Sequence, residues 1–201
     1  MPVKVVRVKR LRCKNAKRVR EEAMITTDDI IANVVQPLQA ASASSASGVK
    51  QINLLLVLTK VFDYISTTDQ FQRMELADKL SGAKILAVAA IKILYTGDDE
   101  KVERYSTLCN EVFDNPYNIG KTVQILMKCA DEFKNITELS GPQKKVLVSN
   151  VFKGLIQFSQ LTQQEKDLAA FAFDGVVEAI IWAKHGGLAD VKKGCLKFWN
   201  C

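Results

Sequence analysis

The stretch Ile52-Asn-Leu-Leu-Leu-Val-Leu-Thr-Lys-Val-Phe-Asp-Tyr-Ile65 decides the fold. Its residues repeat at the i, i+3, i+4, i+7 spacing that places side chains on one buried face of a helix. That face consists of Ile52, Leu55, Leu56, Thr59, Phe62 and Ile65. The same period returns along most of the remaining chain. We therefore expect an all-α protein whose main domain is a helical bundle.

Turn and capping residues divide this pattern into separate helices. Thr26-Thr27-Asp28-Asp29 resembles a capping box that opens a short helix, which Pro37 stops after Val35. Ser81-Gly82 separates two later helices, and Asn115-Pro116-Tyr117-Asn118 forms a turn. The predicted helices of the main domain cover about 52–66, 70–79, 83–95, 99–113, 119–133, 142–158 and 162–184.

Four segments follow from this pattern. Residues 40–48 are a low-complexity run of alanine, serine and glycine, which predicts a linker. Thr162-Gln163-Gln164-Glu165 opens the last helix as a second capping box, and Gly186-Gly187 ends it. The predicted organisation is a basic extended arm, a short helix with the linker, a helical bundle domain and a tail, over 1–20, 21–48, 49–187 and 188–201.

The N-terminal arm is strongly basic. It holds nine cations and no acid, whereas the rest of the chain has the other 19 basic residues against all 22 acidic ones. A terminal block of like charge is typical of an interaction tail. Its β-branched Val3, Val5, Val6 and Val8 alternate with charges, which favours extended docking on a sheet edge of a partner. The predicted partner-binding residues are Lys4, Arg7, Lys9, Arg10, Arg12, Lys14, Lys17, Arg18 and Arg20.

The main domain contains a candidate internal duplication. Residues 50–65 align at a constant offset with residues 121–136, and Leu80-Ser81-Gly82 matches Leu139-Ser140-Gly141. Two helix–(Leu-Ser-Gly)–helix units would pack as an antiparallel bundle. Amphipathic helices also align by chance, so both interpretations remain open at this stage.

Cysteines and apolar runs indicate the class of protein. Five cysteines stand at wide spacing without a Cys-x-x-Cys pair, which favours reduced thiols that mostly fill the core. The longest apolar runs, 52–58 and 85–91, are far shorter than the roughly 20 residues of a membrane span. The charged N-terminus does not resemble a secretory signal. We expect an intracellular protein without a transmembrane segment.

No pattern of residues predicts catalysis. Residues 115–122 come within one residue of a phosphate-binding loop, but that motif requires a preceding strand, so a turn before a helix is favoured. His185 is the only histidine and stands at a helix end. The carboxylates are expected at helix starts and on solvated faces: Asp98, Asp99, Glu100, Asp131, Glu132, Glu165 and Asp167. We expect no enzyme, no cofactor and no metal site.

One stretch resembles a known class of proteins. In Phe133-Lys-Asn-Ile-Thr-Glu-Leu-Ser-Gly-Pro-Gln-Lys-Lys-Val-Leu-Val148, a Leu-x-Gly turn and a Lys-Lys pair lead into an aliphatic helix. This resembles small helical minor capsid proteins of large icosahedral double-stranded DNA viruses, over about 119–158 and again over 50–94. The copy at 80–84 departs from the pattern, with one lysine instead of two. The resemblance implies a structural role in the virion and no catalytic residue.

The sequence analysis leads to one functional hypothesis and an alternative. We expect a non-enzymatic structural assembly protein, a minor capsid component located in the virion and the host cytoplasm. Its arm would bridge capsid protein subunits, and its bundle would present an apolar or mixed face to them. The alternative is a nucleic-acid-associated protein whose arm binds phosphates non-specifically, which would give an affinity that falls steeply with salt.

Overall fold

A computed structural model describes residues 25–43, 52–132 and 140–184. All regular secondary structure within these ranges is helical, which confirms the all-α bundle. Helix α1 is a continuous run of an α-helical turn (Thr27–Ile30), a π-helical turn (Ile31–Val35) and a second α-helical part (Gln36–Ala43). The other helices are α2 (Leu54–Thr67), α3 (Asp69–Arg73), α4 (Leu76–Leu94), α5 (Asp99–Asp114), α6 (Ile119–Asp131), α7 (Gly141–Gln157) and α8 (Gln163–Lys184).

Helix α2 is the centre of the bundle. It contacts α1, α3, α4, α6 and α7, and half of its fourteen residues are buried. Its polar residues Asp63, Ser66 and Thr67 remain exposed on one side. Asn53 caps its first turn by accepting a hydrogen bond from the backbone N–H of Leu55 (2.9 Å). The same side chain donates to the carbonyl of Cys129 (3.1 Å), which ties the start of α2 to the end of α6.

Helix α1 differs from its sequence-based prediction. The capping box at Thr26 is confirmed, because its side chain and that of Asp29 bond to each other's backbone N–H. The predicted stop at Pro37 is wrong, since the helix continues to Ala43. Proline interrupts an α-helix because it has no N–H to donate. The π-helical turn that ends at Val35 shifts the hydrogen-bond register just before Pro37, so the helix accommodates the proline.

Helix α1 also belongs to the bundle itself. Ile30, Val34, Val35 and Leu38 are buried in the same hydrophobic core as the side chains of α2. Helix α1 contacts both α2 and α4. The helical body therefore includes α1, and the domain start at residue 49, drawn from the position of the linker, lies too late.

The boundary predicted at Ser81-Gly82 is wrong as well. Helix α4 runs through both residues, and the break between helices lies at Met74 instead. A Cβ atom on Gly82 would lie 2.9 Å from the ring of buried Phe71. Glycine at this position therefore admits an aromatic ring of α3 and does not end a helix.

This result also bears on the candidate duplication. Ser81 lies inside α4, whereas Ser140 is the N-cap of α7 and forms a capping box with Gln143. The two Ser-Gly pairs thus have different structures, one inside a helix and one at a helix start. The described residues therefore do not support a repeated turn between two helices.

The second half of the bundle follows the predicted boundaries closely. Asp98, Asn118 and Thr162 accept hydrogen bonds from backbone N–H groups in the first turns of α5, α6 and α8. Residues 115–118 form the predicted turn between two helices, so the resemblance to a phosphate-binding loop is confined to the sequence. Gly97, at φ +89°, turns the chain between α4 and α5, a conformation that favours glycine.

Aromatic pairs join α7 to its neighbours. Phe152 of α7 and Phe173 of α8 stack with ring centroids 3.9 Å apart, and both side chains are fully buried. Phe62 of α2 lies against Phe113 and Phe158 at 6.2 and 5.8 Å. Helix α8 packs against both α6 and α7, and Phe173 and Val177 are its buried side chains.

Several predictions lie outside the described residues. They are the nine cations of the arm, residues 44–48 of the linker predicted over 40–48, the stretch 133–139, His185, Gly186-Gly187 and the tail over 188–201. The first part of the predicted linker is wrong, because residues 40–43 belong to helix α1. The structure therefore tests neither the extended conformation of the arm nor its partner.

Candidate functional site

The outer face of α8 is the most apolar exposed surface of the described helices. Leu168, Phe171 and Trp182 are 67%, 78% and 51% exposed. They follow one another at helical spacing, with exposed Gly175 and Ala179 between them. We call these five residues the α8 face. The opposite side of the helix holds buried Phe173 and Val177, so the α8 face is additional to the side that builds the core.

An apolar groove lies beside the first half of this face. It has a volume of about 380 Å³ and lies between the turn at 115–118, α7 and α8. Its walls are almost entirely apolar and include Tyr117, Ile119, Phe152, Leu168 and Ala172. Leu168 belongs to both the groove and the α8 face, so the two form one continuous apolar surface. We call this hollow the N-terminal groove.

A second, more polar cleft lies beside the other end of α8. It has a volume of about 680 Å³ and is lined by the end of α6, the start of α7 and the end of α8. Lys145 pairs with Glu178, and Lys184 pairs with Asp131 at 2.6 Å across it. With Lys144, three lysines line this cleft. We call it the lysine cleft.

A cluster of hydrogen-bonded polar side chains lies at one end of α5. Tyr105 donates a 2.6 Å hydrogen bond to Glu132, which also accepts one from Arg104. Tyr95 lies against Tyr105, with centroids 5.2 Å apart, and donates to the carbonyl of Ile52. Each group is engaged by another, so the cluster joins the ends of α4, α5 and α6 to the start of α2.

This cluster corrects one expectation about the carboxylates. Glu132 was expected on a solvated face, but its side chain is only 23% exposed. Burial and the hydrogen bond to Glu132 raise the pKa of Tyr105, and burial raises the pKa of Tyr95. Both phenols therefore stay protonated at neutral pH, as a structural hydrogen-bond donor requires.

The two described cysteines behave as predicted. Cys109 and Cys129 are buried in the hydrophobic core, and neither forms a disulfide. Burial raises the pKa of each thiol to about 12. Because the thiolate is the nucleophilic form, thiols with such a pKa are poor nucleophiles at neutral pH.

The described ranges contain neither a cluster of metal ligands nor a helix that could span a membrane. Within 25–43, 52–132 and 140–184, no three His, Cys, Asp or Glu side chains come together as a metal site would require. None of the helices in those ranges has both the length and the apolar character needed to cross a membrane.

The sequence analysis did not single out the α8 face. Apolar side chains occur on every side of α8, so its periodicity does not separate the residues that face α7 from those that face outward. The bundle was expected to present an apolar or mixed face, and the α8 face is an exposed surface of that character. The arm residues, by contrast, were named from the sequence and lie outside the described ranges.

Comparison with known proteins finds no match to a family model, to a curated protein or to a solved structure. The resemblance to minor capsid proteins therefore rests on the stretch Phe133–Val148 itself.

Proposed function

We propose that this chain is a non-enzymatic structural assembly protein that binds other protein subunits, as a minor capsid component of a large DNA virus does. The observation that carries the proposal is the α8 face. The largest apolar patch on the surface of a soluble protein is often a functional one, and the α8 face combines three large exposed apolar side chains on one side of a helix. Exposed Phe171 and Trp182 are of the residue types that dominate protein interfaces.

The basic arm supplies the second contact in this proposal. Nine cations without an acid, interleaved with valines, suit an acidic or sheet-edge surface on a neighbouring subunit. The chain would thus hold its neighbours at two separate places, by the arm and by the α8 face. A chain with two such contacts would bridge neighbouring subunits, which is the role proposed here for a minor capsid component.

The alternative function is non-specific nucleic-acid binding by the arm. The nine cations of the arm favour this function, because neutralising each phosphate releases counterions and strengthens binding at low salt. Duplex binding of the intact chain and of a chain lacking residues 2–20 separates the two functions. Tight binding near 150 mM salt that disappears with the arm would favour the alternative. We expect weak binding under those conditions.

The test of the main proposal is a copy number in purified particles. Particles from cells that produce the chain are separated on a density gradient and their proteins quantified by mass spectrometry. We expect a constant ratio between this chain and the principal shell protein across the particle fractions. Absence of the chain from the particles, or a ratio that varies between preparations, would contradict a structural role.

A further inference from the structure

We propose that the α8 face binds the α8 face of a second copy of this chain, in an antiparallel, two-fold symmetric pair centred on Gly175. This inference rests on the proposed function and names the partner of that surface. It follows from how large and small residues, grooves and charges are distributed along α8.

The α8 face is self-complementary in size. If Gly175 of the two copies lies on the two-fold axis, Phe171 of one copy is opposite Ala179 of the second. Leu168 is then opposite Trp182 of the second copy. Glycine at the crossing point lets the two backbones approach closely, and space around its Cα is open, with no heavy atom within 4 Å of a built Cβ. Two-fold interfaces require this kind of matching, in which one patch meets itself.

The N-terminal groove is an apolar site that the Trp182 side chain of the second copy would fill. Trp182 lies 14 residues after Leu168, or about 21 Å along the helix. In an antiparallel pair, Trp182 of the second copy therefore reaches the end of α8 where Leu168 and Tyr117 border the groove. The groove is apolar and large enough for one aromatic side chain. By symmetry, each copy fills the groove of the other.

Charges at the two ends of α8 support the same orientation. The first turns of the helix carry Glu165 and Asp167 with Lys166 between them, a balance of one negative charge. At the other end, the three lysines of the lysine cleft lie with Asp131 and Glu178, a balance of one positive charge. Antiparallel pairing brings the acidic end of one copy towards the lysine cleft of the second. A parallel pair would place like charges together. The antiparallel arrangement also opposes the two helix dipoles favourably.

The exposed area fits a modest dimer. Leu168, Phe171 and Trp182 leave on the order of 400 Å² of apolar surface on each copy. A symmetric pair that also covers the groove rims would bury about 1,000–1,200 Å² in total, at the lower end of specific interfaces. Affinity depends on the anchor residues more than on area, and with two aromatic anchors on each copy we expect dissociation constants on the order of micromolar.

Sedimentation of the full chain tests the proposal. We expect a monomer–dimer equilibrium that Phe171→Glu shifts to monomer by at least tenfold in Kd. The matched control is Ile85→Glu, which places the same charge at a 68% exposed aliphatic residue on α4 and should leave the equilibrium unchanged. Far-ultraviolet circular dichroism verifies that both variants fold. A chain that stays monomeric at 100 µM, or a dimer that Phe171→Glu leaves intact, would overturn the proposal.

Cross-linking tests the register. In a chain with Cys13, Cys195 and Cys201 changed to serine, Gly175→Cys should form an intermolecular disulfide on mild oxidation, because the two positions meet on the axis. Ile85→Cys in the same background is the control and should not cross-link. Equal cross-linking of the two variants would overturn the antiparallel arrangement.

A chain truncated after Lys184 tests whether residues 185–201 of the same chain, and not a second copy, cover the α8 face. If residues 185–201 of the same chain cover the α8 face, only the truncated chain will dimerise, and the proposal fails. The proposed dimer and the proposed function can fail independently. A chain that is monomeric in solution but has a fixed copy number in particles overturns the dimer alone. A dimer absent from particles overturns the assembly role alone.

Discussion

Gly154 lies where α7 passes α2, and it has no room for a side chain. A Cβ atom at this position would lie 2.8–2.9 Å from Cδ2 and Cγ of Phe62. The Phe62 ring is held between Phe113 and Phe158, so it cannot move aside easily. Glycine here is a packing requirement inside a helix.

Gly154→Ala is therefore expected to destabilise the protein, although alanine is the better helix former by about 1 kcal/mol. Overpacking costs about 1–3 kcal/mol, which outweighs that gain. Gly175→Ala is the control: its surroundings are open, so we expect it to raise the free energy of unfolding by about 0.5–1 kcal/mol. Urea unfolding at low protein concentration measures both. An equal gain for the two variants would contradict the described approach of α7 to α2.

The buried thiols predict how stability depends on pH. Cys109 and Cys129 have a pKa of about 12 in the folded chain, whereas an unfolded cysteine titrates near 8.5. A raised folded pKa gives stability that is fully present below the unfolded value and is lost as pH rises towards the folded one. Each thiol should thus reduce the free energy of unfolding by about 1.4 kcal/mol per pH unit above pH 9.

This dependence is measured by urea unfolding at pH 7, 8, 9 and 10. Cys109→Ala should make the alkaline slope clearly shallower, because one of the two thiols is removed, while lowering stability at every pH. A slope that is identical in the variant would show that Cys109 does not stay protonated in the fold.

Local signals explain which helix ends the sequence predicted correctly. The capping boxes at Thr26 and Thr162 depend on side chains within three residues, so they are visible in the sequence itself. The turn at 115–118 is equally local. These boundaries needed no information about the rest of the fold.

The mispredicted ends depend on partners that are distant in the sequence. Gly82 and Pro37 are both typical helix breakers, yet both lie inside helices. Gly82 is required by Phe71, which packs against it from α3, and Pro37 is accommodated by a change of helical register. Composition does not distinguish a glycine that ends a helix from one that admits a neighbouring ring. The α8 face escaped prediction for a similar reason, since only packing shows which side of α8 is covered.

Helix α1 provides a prediction at the level of an element. Its four core side chains, Ile30, Val34, Val35 and Leu38, each contribute about 1.5–3 kcal/mol by burial, part of which offsets the entropy of ordering the helix. A fragment covering 49–187 should therefore unfold at a clearly lower urea concentration than one covering 25–187. Coincident unfolding curves would show that α1 adds nothing to the bundle.

At the scale of the whole molecule, the positive charge of the chain is concentrated in the N-terminal arm and not in the helical body. The net charge of +6 comes entirely from the first 20 residues. An isolated segment of this kind has too little apolar surface to offset its chain entropy. We expect it to take up an ordered, extended conformation only on another subunit.

The proposed contacts with other subunits lie outside the core of the bundle. Phe171 and Trp182 are exposed, and the nine cations precede the first described helix, so changes at either place should leave the fold intact. Loss of assembly without loss of stability is the signature that separates an interaction surface from a structural residue.

Incorporation of the chain lacking residues 2–20 into particles is the most direct test of this central claim. Intact and arm-deleted chains are produced in the same cells, and their copy numbers in purified particles are compared with their urea unfolding midpoints. We predict an unchanged midpoint and at least a tenfold lower copy number for the arm-deleted chain. Normal incorporation of that chain, or a fall in its midpoint that matches its loss from particles, would contradict the assembly role of the arm.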